Sequence, residues 1–319
     1  MFSSPKHKKN AMRRSAFSNR FYAMGTRLHL ILPGLDESVG HRLFVQVKRE
    51  VDRIERKISR FDPQSDLSRL NQIKPGQSAQ VDEEFFDILM ACKTCWKITE
   101  GALDPALSGK ENEPSIEPGM NKVQLFEENR TVLLTDGVQL DLGGFGKGYA
   151  LEKVSDLFHQ RGVKHAFVNF GESSVLAVGA HPAGGNWKIG IRHATEPRKS
   201  AFVFGVQDAS VSTSGNFFID DSGKTVQHHH IIDPKTGVTD ERPVTMSVSA
   251  ASPLLAEMLS TAFLVMEEKQ IKQVISLYDD LKVVKIDYSA GTDQPEITEY
   301  NSNQHNEQGQ YEDQSEKVS

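Results

Sequence analysis

Cysteine is almost absent from this sequence. Its 319 residues include two cysteines, Cys92 and Cys95, so a disulfide framework is excluded. Both lie in EEFFDILMACKTCWKITE, where apolar residues recur at helical spacing. No strand precedes the C-x-x-C spacing, as a thioredoxin-like site would require. We therefore predict two small core residues on a helix, with a redox pair as the alternative.

Long apolar runs and an excess of basic charge are also missing. No stretch of about 18 apolar residues occurs, so we expect no membrane span. The net charge is −6, from 37 Lys and Arg against 43 Asp and Glu. This balance argues against broad nucleic-acid binding, because neutralising phosphate needs a basic excess.

Acidic residues are missing from the start of the chain, where the first is Asp36. Residues 1–19 are basic but lack the apolar segment of a secretory signal and the cysteine of a lipoprotein signal. We expect a disordered arm on a cytoplasmic protein, with an organelle transit peptide as the alternative. Residues 299–319 are almost devoid of apolar side chains and predict a disordered polar tail. One folded domain over residues 20–298 remains.

The central part of the chain mixes strand and helix patterns. Apolar residues at helical spacing predict helices over residues 38–59, 82–99, 147–161 and 253–268. Strand patterns predict one strand in FYAMGTRLHLIL, a hairpin in TVLLTDGVQLDLGG turning at Asp136-Gly137, and a strand pair in AFVFGVQDASVSTSGNFFID. Because hairpins occur without strict strand–helix alternation, we predict an α+β fold with mixed or antiparallel sheets and packed helices.

A glycine-rich stretch, DLGGFGKGYALEKVSDLF, covers residues 141–158. Glycines allow backbone N–H groups to approach an anion, and the N-terminus of a following helix favours negative charge. The spacing matches neither the P-loop nor the dinucleotide-binding fingerprint. Two interpretations remain open: a phosphate-binding turn, and an ordinary tight turn with a solvated lysine.

One acidic residue lies in a strongly apolar helix, SPLLAEMLSTAFLVM, residues 252–266. Ser252 suits the N-cap and Pro253 the first helical position. The single charge is Glu257, which is costly in such a helix unless it is paired or binds a metal. Thr261 shares its face, and a carboxylate with a hydroxyl suits Mg²⁺. The alternative is a surface glutamate facing a basic residue.

Two further polar segments could carry chemistry. HHHIIDPKTG, residues 228–237, joins histidines to a rigid turn, although zinc binding is disfavoured because adjacent strand residues point to opposite faces. STSGN, residues 212–216, offers hydroxyl and backbone N–H groups, but no G-x-S-x-G elbow supports a serine hydrolase. Phe61, in a loop, either stacks on a flat ring or packs in the core.

The order of these motifs resembles that of the ApbE family, the FAD:protein FMN transferases. The resemblance covers about residues 21–290 and rests on these blocks: AMGT (23–26), SRFDPQSDLSRLN (59–71), TEGALDPAL (99–107), DLGGFGKGYALE (141–152), VNFGES (168–173), STSGNF (212–217), HHHIIDPKTG (228–237) and AEMLSTAF (256–263). It implies a single large, T-fold-related domain. It also implies a Mg²⁺-dependent enzyme that cleaves FAD, attaches FMN through a phosphoester to a Thr or Ser of an acceptor protein, and releases AMP.

The resemblance also implies site residues, carried over by position. Its implied metal ligands are the Glu257 and Thr261 side chains and the Gly146 carbonyl. Its implied FAD-binding residues are Met24, Phe61, Asp141, Lys147, Gly148, Ser214, Gly215 and His230. His230 and Asp233 are expected beside the reacting phosphate, where His230 acts either as acid–base or as an orienting hydrogen-bond donor.

The chain departs from the family pattern in three places. Glu257 replaces the usual aspartate, Gly146 replaces an alanine, and VNFGES has Glu172 and Ser173 in place of glycine and aspartate. The longer Glu257 side chain can still ligate a metal but can also shift or weaken it. Two other activities therefore stay open: hydrolysis of FAD to FMN and AMP, and FAD binding without catalysis.

Overall fold

The structure, a computed structural model, describes residues 16–106, 109–110, 113–114, 119–135, 137–194, 196, 198–219, 225–227, 231–238, 242–289 and 294–301. The strands are β1 Ala16–Ala23, β2 Thr26–Pro33, β3 Ser78–Gln80, β4 Gly109–Lys110, β5 Glu113–Pro114, β6 Val123–Phe126, β7 Thr131–Leu134, β8 Ala166–Phe170, β9 Ser174–Val178, β10 Trp187–Arg192, β11 Ser200–Val206, β12 Ala209–Gly215, β13 Phe217–Ile219, β14 Thr225–Gln227, β15 Val244–Ala250, β16 Lys282–Asp287 and β17 Glu296–Asn301. The helices are α1 Glu37–Ile58, α2 Asp66–Asn71, α3 Glu83–Ile98, α4 Gly146–Gln160, α5 Pro253–Val265 and α6 Glu268–Ile275, with one 3₁₀ turn at Gly119–Lys122.

An eight-stranded antiparallel sheet, in the order β1-β2-β8-β9-β12-β15-β16-β17, organises the chain. All five residues of β9 are buried, because both faces of the sheet are covered there. Leu176 and Val178 belong to the helix-side core, whereas Val175 and Ala177 pack with the β10–β11 hairpin. Successive strand residues point to opposite faces, so a continuous apolar run fits a strand covered on both sides. The α+β prediction is confirmed.

Helices α4 and α5 pack together closely over the helix-side face of the sheet. Helix α5 begins as predicted, with the Ser252 hydroxyl accepting from Leu255 N and Pro253 in the first turn. At Gly148 of α4, a Cβ atom would lie 2.6 Å from Glu257 Cβ and 2.9 Å from the Pro253 carbonyl oxygen. The absence of a side chain at Gly148 therefore allows the two helices to approach.

Helix α3 carries both cysteines, and the core interpretation is confirmed. Cys92 and Cys95 are buried, and burial raises the pKa of the Cys95 thiol to about 12. Ion pairs tie the neighbouring helices: Arg53 of α1 contacts Glu84 of α3, which accepts a 3.1 Å hydrogen bond from Tyr149 Oη of α4. The Arg53 guanidinium lowers the pKa of Glu84 to about 2. No helix in the described part of the chain combines the length and apolarity that crossing a membrane requires.

The first predicted strand is wrong, since β1 and β2 form a hairpin. Its two-residue turn is Met24-Gly25, with φ of 47° and 72°. Positive φ at both positions is what a type I′ turn needs, and methionine at the first position gave no turn signal. Because β1 begins at Ala16, the predicted boundary after residue 19 is also wrong. Residues 1–15 lie outside the described part.

Other pairings also differ from the sequence expectations. Strand β7 pairs with β3 and β6, not with the segment that follows it. The segment around Leu140 has the alternating pattern of a strand, but the Asn71 side chain forms hydrogen bonds with its backbone. Leu140 N donates to Asn71 Oδ1 at 2.8 Å, and Asn71 Nδ2 donates to the Leu140 carbonyl at 2.9 Å. Strands β11 and β12 do not pair with each other, because β11 pairs with β10 and β12 lies between β9 and β15.

The predicted limits near the C-terminus also need correction. Helix α5 ends at Val265, and α6 follows as a separate helix that the sequence reading missed. Glu267 caps α6 in a reciprocal capping box with Gln270, so a new helix starts there. Strand β17 reaches Asn301, past the predicted start of the tail at residue 299. Residues 302–319 lie outside the described part.

Candidate active site

A cavity of about 1850 Å³ opens beside the β1–β2 turn, the ends of β8 and β12, and helices α4 and α5. Its volume exceeds the roughly 300–1,000 Å³ of pockets for drug-sized ligands. The structure brings eight of the predicted site residues to its lining: Met24, Phe61, Asp141, Lys147, Ser214, Gly215, Glu257 and Thr261. These residues lie far apart in the sequence, and the fold brings them together.

The glycine-rich stretch forms the start of α4 and part of the cavity lining. Gly143, Gly144, Phe145 and Lys147 line the cavity, and the Phe145 N-cap provides no side-chain hydrogen bond to the helix. The first N–H groups of a helix and its dipole attract anions. An open helix N-terminus with a lysine in its first turn can therefore receive a phosphate group.

Lys147 and Glu257 form an ion pair between α4 and α5. Lys147 Nζ lies 2.6 Å from Glu257 Oε1, and their side chains are 22% and 6% exposed. Burying an unpaired carboxylate is costly, so the ammonium group stabilises Glu257 where α5 is most apolar. Glu257 is therefore buried, so the alternative of a surface glutamate is wrong. The basic partner that this alternative included is present as Lys147.

Hydroxyl groups surround the Glu257 carboxylate on the sheet side. Ser174 Oγ donates to Glu257 Oε2 at 2.5 Å, and Ser212 Oγ donates to the same oxygen at 3.1 Å. Towards the cavity, Ser214 Oγ lies 2.9 Å from Ser260 Oγ and 3.2 Å from Thr261 Oγ1. A carboxylate and several hydroxyl oxygens thus meet beside the N-terminus of α4.

Comparison with known proteins assigns this architecture. The ApbE family model matches residues 24–284. The chain belongs to the ApbE family. It is 24% identical over 280 residues to the FAD:protein FMN transferase of Klebsiella pneumoniae, covering 79% of each chain. It is also 24% identical over 282 residues to that of Haemophilus influenzae, covering 79% of this chain and 81% of the other.

Solved ApbE structures share the fold. The ApbE protein of Thermotoga maritima superposes with a TM-score of 0.72 at 25% identity, covering 92% of this chain and 98% of the other. The flavin transferase ApbE of Vibrio cholerae superposes with a TM-score of 0.75 at 21% identity, covering 92% and 99%.

The side chains predicted to bind a metal in this ApbE chain offer oxygen donors. Glu257 and Thr261 line the cavity one helical turn apart. Mg²⁺ accepts oxygen ligands and is commonly held by one or two carboxylates together with water and substrate phosphates. Among the described residues, no three His, Cys, Asp or Glu side chains cluster as a metal centre. The donor set therefore fits Mg²⁺ with a bound phosphate, with Lys147 as the cation beside Glu257 in this structure.

Gly146 and Gly148, the other two predicted α4 residues, are buried. Gly146 begins the helix, and its N–H donates to the Leu142 carbonyl at 2.9 Å. A Cβ atom at Gly146 would lie 3.0 Å from Ile58 Cδ1 and 3.7 Å from Met24 Sδ. Gly148 lies where α4 packs against α5, and the close packing there explains why this position has no side chain.

Asp141 organises the turn that precedes α4. Its Oδ1 accepts from Gly143 N at 2.9 Å, and its Oδ2 lies 3.3 Å from Arg60 Nε. The Arg60 guanidinium also lies 4.7 Å from the ring centroid of Phe61, a residue that is 81% exposed. Phe61 is not a core residue, so the core alternative is wrong, and stacking of the exposed ring on a flat ligand stays a prediction.

The HHHIIDPKTG block is described from Ile231 onward. Ile231, Ile232 and Pro234 line the cavity. The Asp233 carboxylate accepts from Lys235 N at 2.9 Å and from Thr236 Oγ1 at 3.0 Å, which closes its own turn. His230 lies outside the described residues, as does the histidine run considered for zinc.

Three residues of the site were not individually predicted, although Ser212 lies in the STSGN segment and Asp104 in the TEGALDPAL block. Ser174 and Ser212 contact Glu257, and buried Asp104 lines the cavity. Burial raises the pKa of Asp104, although its carboxylate accepts from Ala106 N at 2.9 Å. Ser174 is the first residue of the otherwise apolar strand β9, whereas Ser212 is one of several hydroxyl residues in β12, so the sequence alone does not distinguish it. Their shared partner on α5 was not readable without the strand register.

Proposed function

We propose that the protein is a Mg²⁺-dependent FAD:protein FMN transferase. It would cleave FAD, attach FMN through a phosphoester to a Thr or Ser of an acceptor protein, and release AMP. The observation that carries this proposal is the meeting of the α4 N-terminus, the Lys147 ammonium and the buried Glu257 carboxylate in one cavity. The relatives from Klebsiella and Haemophilus are named FAD:protein FMN transferases, which supports the proposed transferase activity.

The chain's own residues would bind and orient FAD. The α4 N-terminus and Lys147 attract the pyrophosphate, because both carry positive charge into the cavity. The exposed Phe61 ring offers a flat apolar surface for flavin or adenine, and Met24 lies in the lining at the β1–β2 turn. We assign Ser214, Gly215 and Asp141 to the polar part of the same pocket.

The proposed reaction is an in-line displacement at phosphorus. The acceptor hydroxyl oxygen forms a bond to the FMN phosphorus, while the bond from that phosphorus to the bridging oxygen breaks and AMP leaves with this oxygen. Such transfers depend mainly on positioning and charge neutralisation. We assign the acceptor proton to His230, a base able to act near neutral pH, and keep Asp233 as the second residue predicted beside the reacting phosphate.

Glu257, Thr261 and the Gly146 carbonyl would hold Mg²⁺ in this proposal. The bound ion would polarise the phosphate and stabilise the departing AMP. Lys147, now paired with Glu257, would turn its ammonium group towards the substrate phosphates when the carboxylate gains another cation. The carboxylate would thus have a cationic partner in both states, Lys147 before the metal binds and Mg²⁺ afterwards.

The test is to incubate the purified protein with FAD, Mg²⁺ and a peptide that carries an acceptor threonine. We expect AMP and a covalently fluorescent peptide of the mass of its FMN adduct. AMP with free FMN and an unlabelled peptide would instead establish hydrolysis. Intact bound FAD would establish binding without catalysis. Each of these two results contradicts the proposal.

A matched pair of variants tests the metal assignment. Glu257→Ala should abolish Mg²⁺-dependent turnover, since the proposed ligand set of Glu257, Thr261 and the Gly146 carbonyl loses its carboxylate. Glu152→Ala is the control, because Glu152 lies on α4 and accepts from Ser252 Oγ at 2.7 Å without lining the cavity. Unchanged metal-dependent turnover in Glu257→Ala would refute the assignment.

A further inference from the structure

The two oxygens of the Glu257 carboxylate have different partners. Oε2 accepts from Ser174 and Ser212, whereas Oε1 lies 2.6 Å from Lys147 Nζ. A carboxylate that rotated freely would exchange these roles. The pair of hydroxyl donors on Oε2 fixes the group, so Oε1 is the oxygen that meets a cation.

The sheet register explains why two serines reach one oxygen. Ser174 of β9 and Ser212 of β12 are direct antiparallel partners. Directly opposed residues have their side chains on one face, about 4.5–5.5 Å apart at Cβ. This face is the one covered by α5, because Leu176, two residues after Ser174, belongs to the helix-side core. The two hydroxyls therefore form a ready pair of donors beneath Glu257.

Both serines are shielded from the cavity. Ser174 is 1% exposed and Ser212 is 2% exposed, and neither is part of the cavity lining. Ser260 Oγ lies 3.2 Å from Ser212 Oγ and extends the hydroxyl cluster towards Ser214. A buried hydroxyl that does not reach the cavity cannot touch a substrate. Its effect on chemistry has to pass through Glu257.

We propose that Ser174 and Ser212 are positioning residues that adapt the site to a glutamate. A glutamate is one methylene longer than the aspartate of the family pattern, so its carboxylate needs an anchor to present a single oxygen to a cation. The two serines provide that anchor by holding Oε2 against the sheet. The carboxylate of an aspartate at this position would be one methylene further from the two hydroxyls. The serine pair and the glutamate therefore form one functional unit.

The inference rests on the proposed function where it concerns Mg²⁺, and the test separates the two. Ser174→Ala and Ser212→Ala are made in the natural chain and in a Glu257→Asp background. Titration with Mg²⁺ alone, followed by calorimetry, gives the dissociation constant. Partners that orient a metal ligand typically contribute 10–100-fold in affinity, so we expect each serine change to raise the constant about 10-fold in the natural chain. In the Glu257→Asp background the change should stay within about twofold.

Ser210→Ala is the matched control. Ser210 is a buried serine on the same strand, two residues before Ser212, and its hydroxyl donates to the Val175 carbonyl at 2.6 Å. This variant should lose stability without changing the Mg²⁺ dissociation constant. Serine variants that change the constant no more than Ser210→Ala does, or that act equally in both backgrounds, would overturn the inference.

Urea unfolding of the metal-free proteins gives an independent readout. If the hydroxyls hold Glu257, the effects of Ser174→Ala and Glu257→Asp on unfolding should be far from additive. If the natural chain binds no Mg²⁺, the metal assignment is refuted. The comparison of the single and double variants in unfolding then tests the positioning role without the metal. Additive effects would overturn it, and non-additive effects would support it.

Discussion

Lys147 Nζ and Glu257 Oε1 lie 2.6 Å apart, although 110 residues separate them in the chain. Their helices, α4 and α5, approach over Gly148, where no side chain intervenes. The pair thus links a charge in the first turn of α4 to the buried carboxylate of an apolar helix. The same contact therefore stabilises the packing of the two helices and lines the cavity.

Replacing Lys147 with methionine should destabilise the metal-free protein by about 2 kcal/mol, because Glu257 then lacks a counter-charge. Breaking a fully buried pair costs roughly 3–5 kcal/mol, and the partial exposure of Lys147 reduces that cost. Urea unfolding without Mg²⁺ measures it. Adding Glu257→Gln to Lys147→Met should restore most of the loss, since no charge remains buried. A double variant as unstable as Lys147→Met would contradict this account.

Replacing Gly148 with alanine should cost about 1–3 kcal/mol, because the new Cβ would lie 2.6 Å from Glu257 Cβ and force α4 and α5 apart. It should also weaken FAD binding by displacing Lys147. Gly205→Ala is the control, since the nearest atoms to a Cβ there lie 3.6 Å away. Thermal unfolding and FAD titration of both variants provide the comparison. Equal behaviour of the two variants would count against close packing at Gly148.

Glu84 should make stability depend on pH in the acid range. Its folded-state pKa of about 2 lies below the ordinary value of 4.5, so its stabilising contribution is complete above pH 4.5 and is lost as the pH falls towards 2. At neutral pH, Glu84→Gln should be less stable by about 2 kcal/mol, allowing for partial exposure. This gap should shrink on acidification. Urea unfolding across that range measures it.

Glu83→Gln is the control for this pH dependence. Glu83 neighbours Glu84 on α3, but its side chain is 78% exposed and 3.4 Å from Arg130. Exposed ion pairs contribute little, so this variant should track the natural protein at every pH. A gap between Glu84→Gln and the natural protein that stayed constant down to pH 2 would refute the assignment.

Asn71→Ala should lower the free energy of unfolding by removing the hydrogen bonds that hold the segment before α4. The Asn71 amide makes both hydrogen bonds to the Leu140 backbone, and leaving those groups unpaired costs about 1–3 kcal/mol. Asn71→Asp keeps the acceptor for Leu140 N and loses the donor, so its loss should be intermediate. Urea unfolding ranks the three proteins. The interpretation fails if Asn71→Asp is as unstable as Asn71→Ala.

The sequence predicted the helices better than the sheet. The apolar spacing of α1, α3, α4 and α5 placed each helix within a few residues, because burial of one face is a local pattern. Strand partners depend on residues far apart, so β11 and β12 were paired with each other wrongly. The Met24-Gly25 hairpin was missed for a related reason: positive φ at a methionine is imposed by the fold and has no sequence signal.

The candidate site was predictable where residue type alone limits the chemistry. A single glutamate in an apolar helix needs a partner, and a glycine turn before a helix suits an anion, so Glu257 and the start of α4 became candidates, and the family resemblance then favoured a site role over the alternatives. The sequence could not pair Lys147 with Glu257, since that contact requires the helix packing at Gly148. Ser174 and Ser212 needed the strand register in addition.

The cavity takes its lining from segments spread between residues 24 and 261, so no contiguous half of the chain contains it. A ligand seated there contacts segments from many parts of the chain, and its binding free energy adds to the free energy of unfolding. At a hundred times its dissociation constant, a ligand adds about 2.7 kcal/mol. The number of folded copies in a cell, and their survival against proteases, should therefore rise with the supply of flavin nucleotide.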